Sequence, residues 1–211
     1  MKREEKNALS RQRILGAALR EFSEKGYAAA SLNTICAEND ISKGIIYHYF
    51  ADKDTLYLLC VTACFDALTA YLTQAPDAVS GSVETRLRGY FDARLRFFAE
   101  NPLYLGIFTD AALHPPEHLI ARISETRKSF DDLNIRILTG LLESAAPRRD
   151  LNISAVADDF RLYMDYFNLR FQRELAGIHS PEQALREHEE RCHRQIHILL
   201  YGVLGDRDGT R

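Results

Sequence analysis

The sequence predicts an all-α protein. Apolar residues recur at helical spacing along nearly the whole chain. Gly and Pro are few, 11 and 6, and punctuate that pattern between segments. No alternating apolar/polar run of strand length stands apart from a helical stripe. With 211 residues, 46% apolar and 27% charged, the chain has the profile of a globular protein with a real core, not of a disordered or fibrous one.

The first stripe is Ile14, Leu15, Ala18, Leu19 and Phe22, in a helix starting near Ser10 with Arg11, Arg13, Arg20, Glu21 and Glu24 elsewhere on the surface. Gly26 follows it, where a left-handed cap is wanted. Ser31 is an N-cap for a short helix over 32–38, buried through Leu32, Ile35 and Cys36. Asn39 and Asp40 tolerate the turn that follows, and Ser42 caps a second short helix to about 48. Asp52 caps a longer helix, 53 to about 72, carrying Leu56, Leu59, Cys60, Ala63 and Ala67 on one side.

Pro76 and Gly81 break the pattern, and Ser82 starts a helix reaching Glu100. Asn101-Pro102 is a cap followed by proline at the first helical position, and that helix ends before Pro115-Pro116. One long helix is then expected from about 117 to 145, ahead of Pro147. Asn152 or Ser154 opens the next, to about 175. Ser180-Pro181-Glu182-Gln183 is a capping box that starts the last helix, to about 204. The expected total is about nine helices.

No uninterrupted apolar run of the ~18 residues needed to span a bilayer is present. The polar start, MKREEKNALSRQR, lacks the apolar region of a secretory signal, so a cytoplasmic protein without membrane attachment is expected. The four cysteines, Cys36, Cys60, Cys64 and Cys192, form no CxxC pair and are expected as reduced core thiols.

The formal net charge is −3, which taken alone argues against nucleic acid. The charge is uneven, however. Residues 1–13 hold five Lys or Arg against two Glu, a net of +3. This leading arm reads either as a phosphate or minor-groove contact or as a solvated tail.

The two short helices over 32–38 and 42–48 have the layout of a helix-turn-helix. The second is the candidate reader, exposing Ser42, Lys43, Gly44, Tyr47 and His48 while Ile41, Ile46 and Phe50 point inward. Lys43 can reach a guanine edge or a phosphate, and Tyr47 and His48 can donate to phosphates. Gly44 lets backbone approach the duplex closely. Lys53 adds charge at the next helix start, and Ser31, Asn33 and Thr34 face the backbone or groove edge. Short serine-capped helical hairpins also occur as plain packing units, so spacing alone leaves both readings open.

Residues 10–60 resemble the N-terminal domain of the tetracycline-repressor (TetR) family of transcriptional regulators. The landmarks are Ile14-Leu15, Ala17-Ala18, Phe22, Gly26-Tyr27, Ile35-Cys36-Ala37, Ile41-Ser42-Lys43-Gly44, Tyr47, Tyr49-Phe50 and Lys53. Two positions depart from the pattern. Asp40 stands at a turn position usually held by glycine, and Asn39 and Asp40 can adopt its geometry. Ile45 stands where relatives often carry Thr or Ser, which implies an apolar contact such as a thymine methyl, or none.

The resemblance implies a DNA-reading domain over 1–52 and a helical ligand-binding and dimerisation domain over 53–211. It implies no enzyme and no cofactor. The implied partners are double-stranded operator DNA, a second copy of the chain and a small effector. The last two helices are expected at the dimer interface, through Tyr166, Leu169, Phe171, His188, Cys192, Ile196 and Leu199. An effector pocket is expected among Tyr90, Arg94, Phe98, Tyr104, Phe108, His114, Tyr163 and Phe167. The implied mechanism is a repressor freed from a pseudo-palindromic operator by a partly apolar ligand, with the 53–72 helix as lever. Activation, or a regulator that senses a protein partner or nothing, remains open, as does an enzyme sited in the C-terminal helices. Glu189, His193 and His197 share one helical face and His188 and Cys192 another. A solvated or interface face outweighs a metal site there.

Overall fold

The computed structural model describes residues 3–75, 81–144, 150–174 and 180–203. Among them are ten α-helices, one 3₁₀ turn and no strand. They run α1 (Arg3–Ala29), α2 (Leu32–Glu38), α3 (Lys43–Tyr49), α4 (Lys53–Gln74), α5 (Val83–Glu100) and α6 (Pro102–Leu113). The 3₁₀ turn (Glu117–Leu119) leads into α7 (Ile120–Thr126), α8 (Lys128–Ser144), α9 (Ile153–Glu174) and α10 (Pro181–Val203).

The serine and acidic caps act as their sequence positions require. The Ser31 hydroxyl accepts the Asn33 N–H at 3.2 Å and the Ser42 hydroxyl accepts that of Ile45 at 3.4 Å. Asp52 accepts from Thr55 N–H at 2.7 Å, Asn152 from Ala155 at 3.2 Å and Ser180 from Gln183 at 3.3 Å. Asp40 has a φ of 50°, so it does take the left-handed turn conformation.

Three expectations are corrected. The first helix, expected from near Ser10, begins at Arg3 and takes in most of the leading segment. Gly26 does not end α1 outright. It kinks it at φ 68°, ψ 171°, a conformation open to glycine, and the chain resumes helical form to Ala29. The expected long helix over 117–145 is a 3₁₀ turn and two helices. Leu119, Ile123, Phe130 and Leu133 are all buried, so the apolar pattern runs through the break and hides it. At the break, Thr126 turns its hydroxyl back on the Arg122 carbonyl at 2.8 Å, competing with the helix ladder.

By length and apolar composition α4 also qualifies as a membrane span. Half of that stretch is buried inside the protein, however, with Leu56, Tyr57, Leu58, Val61, Phe65 and Leu68 in the core. That is the burial of a core helix. All four cysteines are free and buried, and burial pushes the thiols of Cys60 and Cys192 up to about 12. Those two are packing residues, not nucleophiles.

The chain forms two compact units, 1–67 with 98–128, and 68–97 with 129–211. They group residues differently from the 1–52 and 53–211 segments of the sequence reading, because α6 packs on α1. In the first unit, a Cβ on Gly106 of α6 would lie 2.3 Å from the Ser23 carbonyl oxygen of α1. Only glycine lets the two helices approach this closely. Asp110, one turn further along α6, accepts the Tyr27 N–H at 2.9 Å and the Tyr57 hydroxyl at 2.7 Å.

In the second unit, the Arg94 guanidinium of α5 meets the Glu189 carboxylate of α10 at 3.0 Å, both buried. Tyr90 and Phe130 present their rings to Arg94, 5.7 and 5.3 Å from its guanidinium carbon. The Tyr90 hydroxyl donates to Asn134 Oδ1, and His188 Nδ1 lies 3.1 Å from Glu189 Oε1.

Candidate nucleic-acid interface

The turn between α2 and α3 is fixed from α1. Arg13 donates to the Asn39 carbonyl at 2.6 Å and Arg20 to its side-chain oxygen at 2.7 Å, while Asn39 Nδ2 donates to the Ile35 carbonyl at 3.1 Å. The start of α2 is held too. The buried Glu21 carboxylate accepts the Ser31 N–H at 2.9 Å and the Lys25 ammonium at 2.8 Å. Lys25 is correspondingly raised above its ordinary value by that bond. The sequence reading has Arg13, Arg20 and Glu21 only as surface residues of the first helix; Glu21 is instead buried, because it caps the start of α2, and all three orient these helices. Their signal would have been charged residues on α1 spaced to reach a turn some 20 residues on, a pattern that periodicity does not register.

The second short helix divides cleanly. Ile41, Ile46 and Phe50 are buried, while Ser42, Lys43, Gly44, Ile45, Tyr47 and His48 are exposed. Tyr49 lies between the two faces and donates through its hydroxyl to Asn7 Oδ1 of α1 at 2.9 Å. Asn33 is exposed on α2, and Ser31 and Thr34 are half-buried. Lys53 is half-buried, its ammonium 4.4 Å from the centre of the Tyr27 ring. Arg11 is also engaged, 5.8 Å over the Phe50 ring.

Beside Lys53, the Tyr27 hydroxyl donates to Asp54 and lies 3.2 Å from His118 Nε2, which is 3.3 Å from the other Asp54 oxygen. Burial and the Asp54 carboxylate push the Tyr27 phenol up to about 12. It is a neutral donor at ordinary pH.

The expected pocket residues fall into both units and are described within each. In the first, Phe98 and Phe108 are buried with ring centres 4.8 Å apart, and the half-buried Tyr104 accepts at its carbonyl from Cys64 Sγ at 3.4 Å. His114 is exposed. In the second, Tyr90 and Arg94 belong to the buried ion-pair cluster, and Tyr163 stacks on Phe167 at 6.3 Å.

The dimer expectation needs a correction. His188, Cys192 and Ile196 are buried within their own unit, because the apolar stripe of α10 is covered by its own chain. Tyr166 is 59% exposed. Leu162 on α9 and Ile198 on α10 are exposed as well, and neither was among the expected interface residues. The side chains of Leu169, Phe171 and Leu199 lie outside the described residues. The His193 and His197 rings are 6.3 Å apart, and no metal-holding cluster occurs among the described residues.

A capped helix, a left-handed turn and a short second helix with one buried and one polar face define the helix-turn-helix class. Residues 14–60 match the family described as "Bacterial regulatory proteins, tetR family". Over that stretch, about a fifth of the chain, it is similar to regulators of this family. Among curated relatives, it is 35% identical over 71 residues to the HTH-type transcriptional regulator HbdR of Aromatoleum sp. (strain CIB), spanning 34% of this chain and 30% of that protein. It is 27% identical over 199 residues to the icaADBC negative transcriptional regulator IcaR of Staphylococcus epidermidis, spanning 90% of this chain and 96% of that protein. The fold is also that of the fatty acid degradation regulator FadR from Bacillus halodurans, with a TM-score of 0.59 at 16% identity over 95% and 99% of the two chains.

Proposed function

We propose that this chain is a DNA-binding transcriptional regulator that reads operator DNA through α3. One observation carries the reading: α3 exposes Ser42, Lys43, Gly44, Ile45, Tyr47 and His48 while burying Ile46. Tertiary bonds from Arg13, Arg20 and Tyr49 hold that helix and the turn before it. A rigidly mounted polar face with one cation and two ring donors suits a groove lined by phosphates.

The regulator acts as a homodimer through the exposed apolar faces of α9 and α10, Leu162, Tyr166 and Ile198. Two reader helices about one DNA turn apart, ~34 Å, then meet the halves of a pseudo-palindromic operator. Repression is the mode that the name of the negative regulator IcaR supports, and release by a small, partly apolar effector is proposed with it. Residues 1–52 supply the reading, and α4, which contributes to both compact units, is the element through which an effector acts. An effector shifts the equilibrium only by its differential affinity for the bound and released states.

The test is selection of bound sequences from a randomised duplex pool, with light scattering on the same protein. Enrichment of an inverted repeat by a dimer supports the reading. A pool that stays random, or a monomer that binds DNA unchanged, sinks the respective half of it.

A further inference from the structure

We propose that Ile45 is a specificity-determining residue that selects thymine, through its C5 methyl group, at one position in each operator half-site. This rests on the reading of α3 as the operator reader. Ile45 is 44% exposed, while the adjoining Ile46 is fully buried, so the helix turns one isoleucine into the core and the other outward. The outward one is not scattered surface apolarity. It stands in the first turn of α3, among Ser42, Lys43, Gly44 and Tyr47, all exposed.

Nothing in the fold asks for isoleucine at this place. It is exposed, and a β-branched residue is a poorer helix former than lysine, glutamine or alanine. Nor does the fold ask for the glycine beside it. A Cβ on Gly44 would meet no atom within 4 Å, so Gly44 leaves one flank of Ile45 uncovered without relieving any clash. The mounting is rigid. The Ile45 N–H is held by the Ser42 carbonyl at 3.0 Å and by its hydroxyl at 3.4 Å. Branching at Cβ restricts the side chain to few rotamers, so little freedom is lost on contact.

The occupant follows from the chemistry of base edges. In the major groove, guanine, cytosine and adenine present donors and acceptors, and only thymine adds an apolar group, its C5 methyl. Isoleucine offers no hydrogen bond, so against the other bases it would cover polar edges without replacing their water. Against thymine it buries methyl on methyl.

Uracil keeps every hydrogen-bonding group of thymine and lacks only the methyl, which makes the test atom-specific. From the sequence enriched by the full-length protein, each thymine is replaced singly by uracil and binding is titrated. The wild type should lose about three- to tenfold in affinity at one symmetry-related position per half-site. Ile45→Ala should lose a similar factor on the thymine operator and be indifferent to uracil there, and Ile45→Val should keep most of the discrimination. If uracil is tolerated at every position, or if its penalty persists in Ile45→Ala, the assignment of Ile45 is overturned while the operator reading stands. If no sequence is enriched, the operator reading itself fails and the inference falls with it.

Discussion

Asp110 in the first compact unit and Glu189 in the second are carboxylates held in opposite ways. In the first, Asp110 receives only neutral donors, the Tyr27 amide and the Tyr57 hydroxyl. Burial outweighs those bonds, so its acid strength is weakened and its pKa stands above the ordinary 3.8. In the second, burial of Glu189 also favours the neutral acid, but Arg94 at 3.0 Å and His188 outweigh it and its pKa stands below 4.5. The difference teaches that burial alone does not set the sign; the charge of the partner does. Asp110 is held by an amide and a phenol, whereas Glu189 is held by a charge pair whose loss leaves the buried Arg94 guanidinium without its counter-charge.

The largest effect should come from closing the space between α1 and α6. Gly106→Val drives a side chain into the Ser23 carbonyl and should cost more than about 4 kcal/mol, by urea unfolding. Hydrogen exchange should place the lost protection in α1 and α6. Retained protection there would mean the contact is not what holds this unit.

Breaking the charge pair comes next. Glu189→Gln strands the Arg94 guanidinium and should cost about 3–5 kcal/mol, while Arg94→Met with Glu189→Leu should recover much of it. A double variant no better than the single would show that the pair contributes net stability.

A smaller effect sharpens the contrast through pH. A raised Asp110 contributes stability that is complete below its ordinary 3.8 and is lost as pH rises through its folded value. A lowered Glu189 contributes stability that is present above 4.5 and is lost as pH falls through its folded value. The stability of wild type relative to Asp110→Asn should therefore decline as pH rises, and relative to Glu189→Gln should decline as pH falls. Parallel slopes in the two denaturation series would refute the opposite assignments.

The same contrast explains what could be read from the sequence. Caps, the α2–α3 turn and the faces of α3 depend on neighbours within a few residues. Ser31, Ser42, Asp40, Ile46 and Phe50 were therefore legible, and so was the candidate reader face. Arg94 and Glu189 meet only in the folded chain, and α10 periodicity does not say whether His188, Cys192 and Ile196 face their own core or a partner. Thr126 and Arg127 interrupt a helix without disturbing the apolar stripe, because the stripe records burial and not hydrogen bonding. Nothing near Gly106 in the sequence marks it as special, because what requires a glycine there is the Ser23 backbone, distant along the chain.

The operator reading can be tested on its own exposed side chains. Lys43→Ala and Tyr47→Ala remove solvent-facing groups and should leave urea unfolding within about 0.5 kcal/mol of wild type. In a gel-shift titration on the selected operator, each should weaken binding by about tenfold or more, with a shallower salt dependence for Lys43→Ala. Folded variants that bind that operator as tightly as wild type would contradict the account.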